Sequence, residues 1–210
     1  SIIHGFPGEA DEWHAETAKL IPALHHLQPG GLNALRFDRY SPYFNRPMDW
    51  GLSLKAGRAY QFAYPLDAAG LEGIAYFMES DRQTNAGWDE SARGPGLAAL
   101  FEAHEAWRKA TQFSGPPLWR MPILAIERVE GGAMLTDTRD CAAARTCRLA
   151  PEEVSLLDLS DAAPSLVNLR RAVVTQHGLS DEQVSSLIER MVDARYLVLV
   201  DGRAVSLVLD

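Results

Sequence analysis

The sequence predicts an α/β chain in two parts, a first part built on parallel strands and a small second part with the outline of a winged helix-turn-helix. Three observations carry this. The chain opens with strand, Gly/Pro bend, amphipathic helix and strand within its first 37 residues. Between Ser80 and Gly96 the composition shifts to Asp, Arg, Gln, Asn, Ser, Gly and Pro, as in a linker or long surface loop. Beyond residue 115 a hairpin signal, three helical segments and a terminal Asp-Gly hairpin follow in order. The expected organisation is therefore 1–80, a linker over 81–96, a connecting helix over 97–114, and a module over 115–210.

The elements follow from local patterns. Ser1 to His4 reads as the tail of a buried strand, Gly5, Pro7 and Gly8 turn the chain, and Glu9 and Asp11 open a helix over 11–27. Trp13, Thr17, Leu20, Ile21 and Leu24 fall on one face of it, and Glu12, Glu16 and Lys19 on the other. Gln28-Pro-Gly-Gly31 ends it, and Leu32 to Phe37 is a second strand running into Asp38-Arg-Tyr-Ser-Pro-Tyr-Phe-Asn-Arg46. Strand, helix, strand at this spacing is a βαβ unit, with both strand ends facing the same way. Tyr60 to Tyr64 reads as a short aromatic strand, and Leu66 to Met78 as a helix with Leu71, Ile74, Ala75 and Met78 inward. Leu97 to Phe113 is a helix broken by Ser114-Gly-Pro-Pro117.

In the second part, strands over Ile123–Val129 and Ala133–Thr138 flank Glu130-Gly-Gly132. Helices are expected over Pro151–Leu159, Ser165–His177 and Asp181–Ala194, with Gly178 stopping the second and Ser180 capping the third. Tyr196–Val200 and Arg203–Leu209 then pair across Asp201-Gly202.

Composition narrows the function. At 210 residues the chain holds one large domain or two small ones, and its 47% hydrophobic and 23% charged residues are those of a globular protein. A formal charge of −8 argues against sequence-independent nucleic-acid binding, which needs basic side chains on phosphates. No apolar run reaches the ~20 residues of a membrane span. Cys141 and Cys147 make no disulfide scaffold and lack zinc or iron–sulfur spacing, so a cytoplasmic setting is the expectation. The chain begins within a strand pattern and lacks an initiator Met, and is read as part of a longer protein.

Two places invite chemistry. The Gly5–Gly8 bend lies where parallel α/β proteins bind ligands, at a strand's carboxyl end beside a helix start, and glycine there lets backbone approach a ligand. Asp38, Arg39, Ser41, Tyr43 and Arg46 crowd the next strand end, where Arg can grip a carboxylate or phosphate while Asp orients it. His25-His26 reads as a surface pair at a helix end, and His104 as packed beside Trp107. His4-Gly-Phe-Pro7 also admits an α/β-hydrolase, but the nucleophile elbow G-x-S-x-G is missing: neither Gly51-Leu-Ser53 nor Phe113-Ser-Gly115 fits it. In the second part, Asp181, Glu182, Glu189 and Asp193 oppose Arg190 alone on the third helix. This disfavours DNA and leaves peptide capture by strand addition at a hairpin edge, or a structural cap.

Ile3-His-Gly-Phe-Pro-Gly-Glu9, Leu20-Ile-Pro-Ala-Leu24, Arg36-Phe-Asp-Arg-Tyr-Ser-Pro-Tyr43 and Tyr60-Gln-Phe-Ala-Tyr-Pro-Leu66, in that order, resemble the maturation radical SAM C-methyltransferases of ribosomally made peptides. The likeness covers residues 1 to about 80; the remainder is similar in layout only. It implies the late strands of a partial TIM barrel, and in the full-length protein a cobalamin domain and a Cys-x-x-x-Cys-x-x-Cys loop holding a [4Fe–4S] cluster. That loop is not in this chain, which the resemblance makes inactive without the upstream half of the enzyme. The family's G-x-I-x-G-x-x-E pattern, which packs on the adenine of S-adenosylmethionine, is matched by Ile3 and Gly5, and the resemblance places Phe6 and Glu9 beside them at the cofactor. Ser1 replaces its first glycine and Glu9 lies one place late. Arg36, Asp38, Arg39, Ser41 and Tyr43 would face the substrate, a precursor peptide whose leader the second part would hold. The implied chemistry is hydrogen abstraction from an unactivated carbon, with the methyl group supplied by methylcobalamin. Binding of nucleic acid or membrane is not expected.

Overall fold

The computed structural model describes residues 1–80, 93–111 and 121–210. The described residues form a mixed α/β structure with four small sheets among them, none closed. Its contacts divide into two units: Ser1–Ala18 with Gly30–His104, and Lys19–Pro29 with Glu105–Asp210. Residues 81–92 of the expected linker and the Ser114–Pro117 break lie outside the described residues.

In the first unit β1 (Ile2–His4) leads through the bend into α1 (Asp11–Leu20). β2 (Leu32–Ala34) lies parallel to β1, with Ile2 opposite Leu32 and His4 opposite Ala34, as the βαβ reading expects. The helix is turned from its expected setting, for Trp13 is 62% exposed while His14 is buried. His14 takes the inner position because its ring meets Glu9 and His4. The expected strand over 32–37 is split: β3 (Phe37–Asp38) joins a different sheet. After α2 (Pro42–Asn45), that sheet receives β4 (Leu54–Ala56), for which the sequence shows no strand signal.

Tyr60 to Tyr64 is not a strand but the short helix α3 (Tyr60–Ala63). The helical turn stacks Tyr64 on Tyr60, and the Tyr60 hydroxyl accepts N–H bonds from Tyr76 and Phe77. The helix expected over 66–78 ends early. Asp67 caps α4 (Ala68–Ile74), Ala75 turns extended at ψ 129°, and β5 (Phe77–Ser80) pairs antiparallel with both β3 and β4. Ile74 faces outward, whereas Leu71, Ala75 and Met78 are buried as expected. Phe37, Leu52, Ala75 and Met78 form the small core here, with Tyr43 and Tyr60 against it. α5 (Pro95–Thr111) closes this unit through its first turns. Asp11 accepts from the Gly96 and Leu97 N–H groups, satisfying two of the donors that a helix start leaves open.

The second unit follows its pattern closely. β6 (Leu124–Val129) and β7 (Gly132–Asp137) are antiparallel, with Gly131 in the turn at φ 74° and Gly132 opening β7 at φ 145°. β8 (Thr146–Leu149), an element the sequence reading missed, pairs with β7 and carries Cys147. Then come α6 (Pro151–Ser160), α7 (Leu166–His177), α8 (Asp181–Asp193), and the hairpin of β9 (Leu197–Val200) and β10 (Arg203–Ser206). Ser165 and Ser180 cap α7 and α8, and Gly178 ends α7 at φ 65°. A bridge between Ser165 and Arg203 ties the start of α7 to the hairpin. The core is aliphatic, with Leu124, Leu135, Leu156, Leu169, Val173 and Leu197 all at most 1% exposed.

Two polar features fix this unit. Arg139 and Asp137 are fully buried and joined by two side-chain bonds of 2.9 and 2.7 Å, while Arg139 Nη1 donates to the Ala23 and Arg195 carbonyls. His25 and His26, expected at the surface, are each 7% exposed. His26 donates from Nε2 to the Leu207 carbonyl at 2.8 Å. They are buried because the 3₁₀ turn Ile21–Leu24 packs into this unit's core and carries the following pair with it.

Candidate functional site

The bend after β1 and the segment after β3 enclose one cleft of about 200 Å³, within the first unit. One wall is Gly5, Phe6, Pro7 and Gly8; the other is Phe37, Trp50 and Leu52. Gly5 and Gly8 have φ of 88° and 81°, a backbone region open to glycine and strained for residues with a Cβ. The Tyr43 ring meets Phe37 edge-on at 5.7 Å and Trp50 at a tilt at 5.1 Å, so the second wall is an aromatic cluster. The aromatic side chains of the cleft can meet a flat ring by offset or edge contact.

Of the residues expected at the bend, Gly5 and Phe6 line the cleft. Ile3 is half-exposed in β1, paired with Asn33. Glu9 turns back on the bend: Oε2 accepts from the Gly5 N–H and from the Phe6 N–H at 3.2 Å, and lies 3.4 Å from His14 Nε2.

The residues expected at the second strand end are divided. Tyr43 supports the cleft wall. Arg36 lies over the Phe77 ring at 5.0 Å and donates to Asp38 at 3.3 Å. The other Asp38 oxygen is buried with no partner among the described residues. Arg39 donates to the Ala75 carbonyl at 2.6 Å and to that of Glu72, closing the carboxyl end of α4, where cations are favoured. Ser41 accepts from the Phe44 N–H at 3.2 Å as the cap of α2. Phe37, Trp50 and Leu52 are cleft residues that sequence reasoning missed, and no local motif marks them as neighbours of the bend.

Behind the bend, His4 is 3% exposed, with its ring edge-on to Phe101 at 5.5 Å and to His14 at 6.5 Å. Its Nε2 has no hydrogen-bond partner among the described residues. Burial holds its pKa below the ordinary histidine value of 6.5, with Glu9 pulling the other way. Among the described residues no group of three or more His, Cys, Asp or Glu is arranged to hold a metal ion. Cys141 and Cys147 are free thiols; the first reaches the Pro22 carbonyl, the second lies 3.8 Å from the Tyr196 hydroxyl. Burial raises the Tyr196 pKa, helped by Cys147.

No helix among the described residues is long and apolar enough to cross a membrane. No family model, curated protein or solved structure matches the chain.

Proposed function

We propose that the chain is the later portion of a cytoplasmic radical SAM, cobalamin-dependent C-methyltransferase acting on a ribosomally made peptide, and that the Gly5–Gly8 cleft is its S-adenosylmethionine contact. The observation that carries the reading is that Gly5 and Phe6, in the stretch similar to the family's adenine-packing pattern, share one aromatic-walled cleft with Phe37 and Trp50. The fit is to a flat ring rather than to a whole cofactor, since ligand pockets commonly hold about 300–1,000 Å³. The residues present do not fit the [4Fe–4S] cluster: the sequence contains Cys141 and Cys147 and no third cysteine. When bound in the intact enzyme, the cofactors supply the radical and the methyl group. This chain's share is to orient the ring, with Phe6, Phe37 and Trp50, and to keep water from it. The β1–β2 parallel pair supports the partial-barrel reading of the first unit.

The order α6, Ser165 bridge, α7, α8, β9, β10 supports the winged-helix reading of the second unit. Its role in this proposal is to hold the leader peptide by strand addition. Leu199 and Val200 on β9 are 44% and 47% exposed, and among the described residues β9 pairs with β10 alone. DNA is the weaker partner, because α8 carries four acids and its Arg190 is paired with Glu153 at 3.2 Å. The test is the gene upstream of Ser1. The proposal expects it to encode a Cys-x-x-x-Cys-x-x-Cys segment in the same reading frame, and a gene without one refutes it. Titration of the whole chain with the leader of a neighbouring precursor tests the second unit: heat of binding supports capture, and none leaves a structural cap.

A further inference from the structure

The glycine bend carries its own counter-ion. Successive backbone N–H groups around a left-handed residue form a nest that attracts anions. Here the occupant is internal: one Glu9 oxygen takes both the Gly5 and Phe6 N–H groups and faces His14 Nε2 at 3.4 Å. The Glu9 and His14 side chains are 13% and 11% exposed. The Gly5–Gly8 segment forms a wall of the cleft, which Glu9 does not line.

We propose that Glu9 is a positioning residue of the cleft: it fixes the Gly5–Gly8 wall through two amides and closes the bend to anionic groups. The donors that would otherwise recruit a phosphate or carboxylate are already used, and a second anion there would meet the Glu9 charge at close range. The part of any ligand lying against the bend is therefore neutral or cationic. This assignment rests on the reading of the cleft as a ligand site.

The test is ¹⁵N amide spectra of the whole chain, wild type and Glu9→Ala, with and without sodium formate. In the wild type formate leaves the Gly5 amide resonance in place. In Glu9→Ala it moves upfield, and formate, entering the vacated nest, returns it. A purely structural role for Glu9 would show no formate-dependent return. Movement of the wild-type Gly5 and Phe6 amides on adding formate, or no change in Glu9→Ala, overturns the assignment. Should Glu9→Ala not fold, Glu9→Gln replaces it: the weaker amide acceptor must move both resonances upfield, and unmoved resonances overturn the assignment. The measurement uses neither cofactor nor peptide, so its failure is distinct from failure of the methyltransferase reading, which the upstream gene decides.

Discussion

Replacing Arg139 with Met should be among the most destabilising single changes in the second unit. The Arg139 and Asp137 side chains are both 0% exposed. The substitution removes two side-chain bonds to Asp137 and the donor to the Ala23 and Arg195 carbonyls, leaving one backbone N–H at 3.1 Å on the carboxylate. Breaking a buried pair in this way costs about 3–5 kcal/mol, because a charge is left without its partner. Two carbonyls left without their guanidinium donor set the residual cost, at about 1–3 kcal/mol each when no other group replaces it. The double variant Asp137→Leu/Arg139→Met removes the stranded charge as well, and should recover more than half the loss. Urea unfolding followed on methyl resonances of Leu197 and Val173, both in this unit's core, reads the effect locally. A loss below about 1 kcal/mol for Arg139→Met, or a double variant no more stable than the single, would refute the reasoning.

Further expectations follow from burial and backbone geometry. Burial lowers the pKa of His4, His25 and His26 below the ordinary 6.5, so the unfolded chain binds more protons than the folded one once pH falls beneath that value. Their contribution is complete above 6.5 and is lost as pH falls toward the folded values; a melting temperature unchanged between about pH 7.5 and about pH 5 would contradict this. Gly132→Ala should lower the stability of the β6–β7–β8 sheet by at least about 2 kcal/mol, since a Cβ would clash with the Leu149 carbonyl oxygen at a φ of 145°. Gly131→Ala, where the nearest atom is the Arg148 Nη2 at 3.6 Å, should cost less; equal urea midpoints would overturn the contact argument. Under the proposed function, Trp50→Ala in the full-length protein should weaken S-adenosylmethionine binding roughly tenfold, the worth of one ring contact. Because Trp50 is 41% exposed, the melting temperature should barely change, and unaltered affinity would remove Trp50 from the site.

The second unit was legible because its turns are written in residues with few alternatives. Asp201 and Gly202 have φ of 49° and 72°, the pair of positive angles that a two-residue hairpin turn requires. Ser165, Ser180 and Gly178 mark the ends of α7 and α8 by hydrogen bond and left-handed backbone. In the first unit, the sheet of β3, β5 and β4 has strands of two to four residues paired across long stretches of chain, so local periodicity carries little of it. Tyr60 and Tyr64 read as strand by residue type, yet Tyr60 is set by its bonds to Tyr76 and Phe77, and Tyr64 by its stacking on Tyr60. The candidate site was half legible. Gly5 and Gly8 announced the bend, but Glu9, Arg39 and Ser41, residue types that suggest ligand chemistry, bind the protein's own backbone. Nothing local to Phe37, Trp50 or Leu52 indicates that they meet the bend.

Incubation of the full-length protein, reconstituted with the proposed cluster and cobalamin, with precursor peptide and S-adenosylmethionine carrying a labelled methyl group tests the proposed function most directly. The account predicts labelled methyl on carbon in the peptide together with 5′-deoxyadenosine, and loss of both when the Gly5–Gly8 bend is disrupted by Gly5→Val. A peptide left unlabelled by the active, cluster-loaded enzyme, or labelling that survives Gly5→Val unchanged, would contradict it.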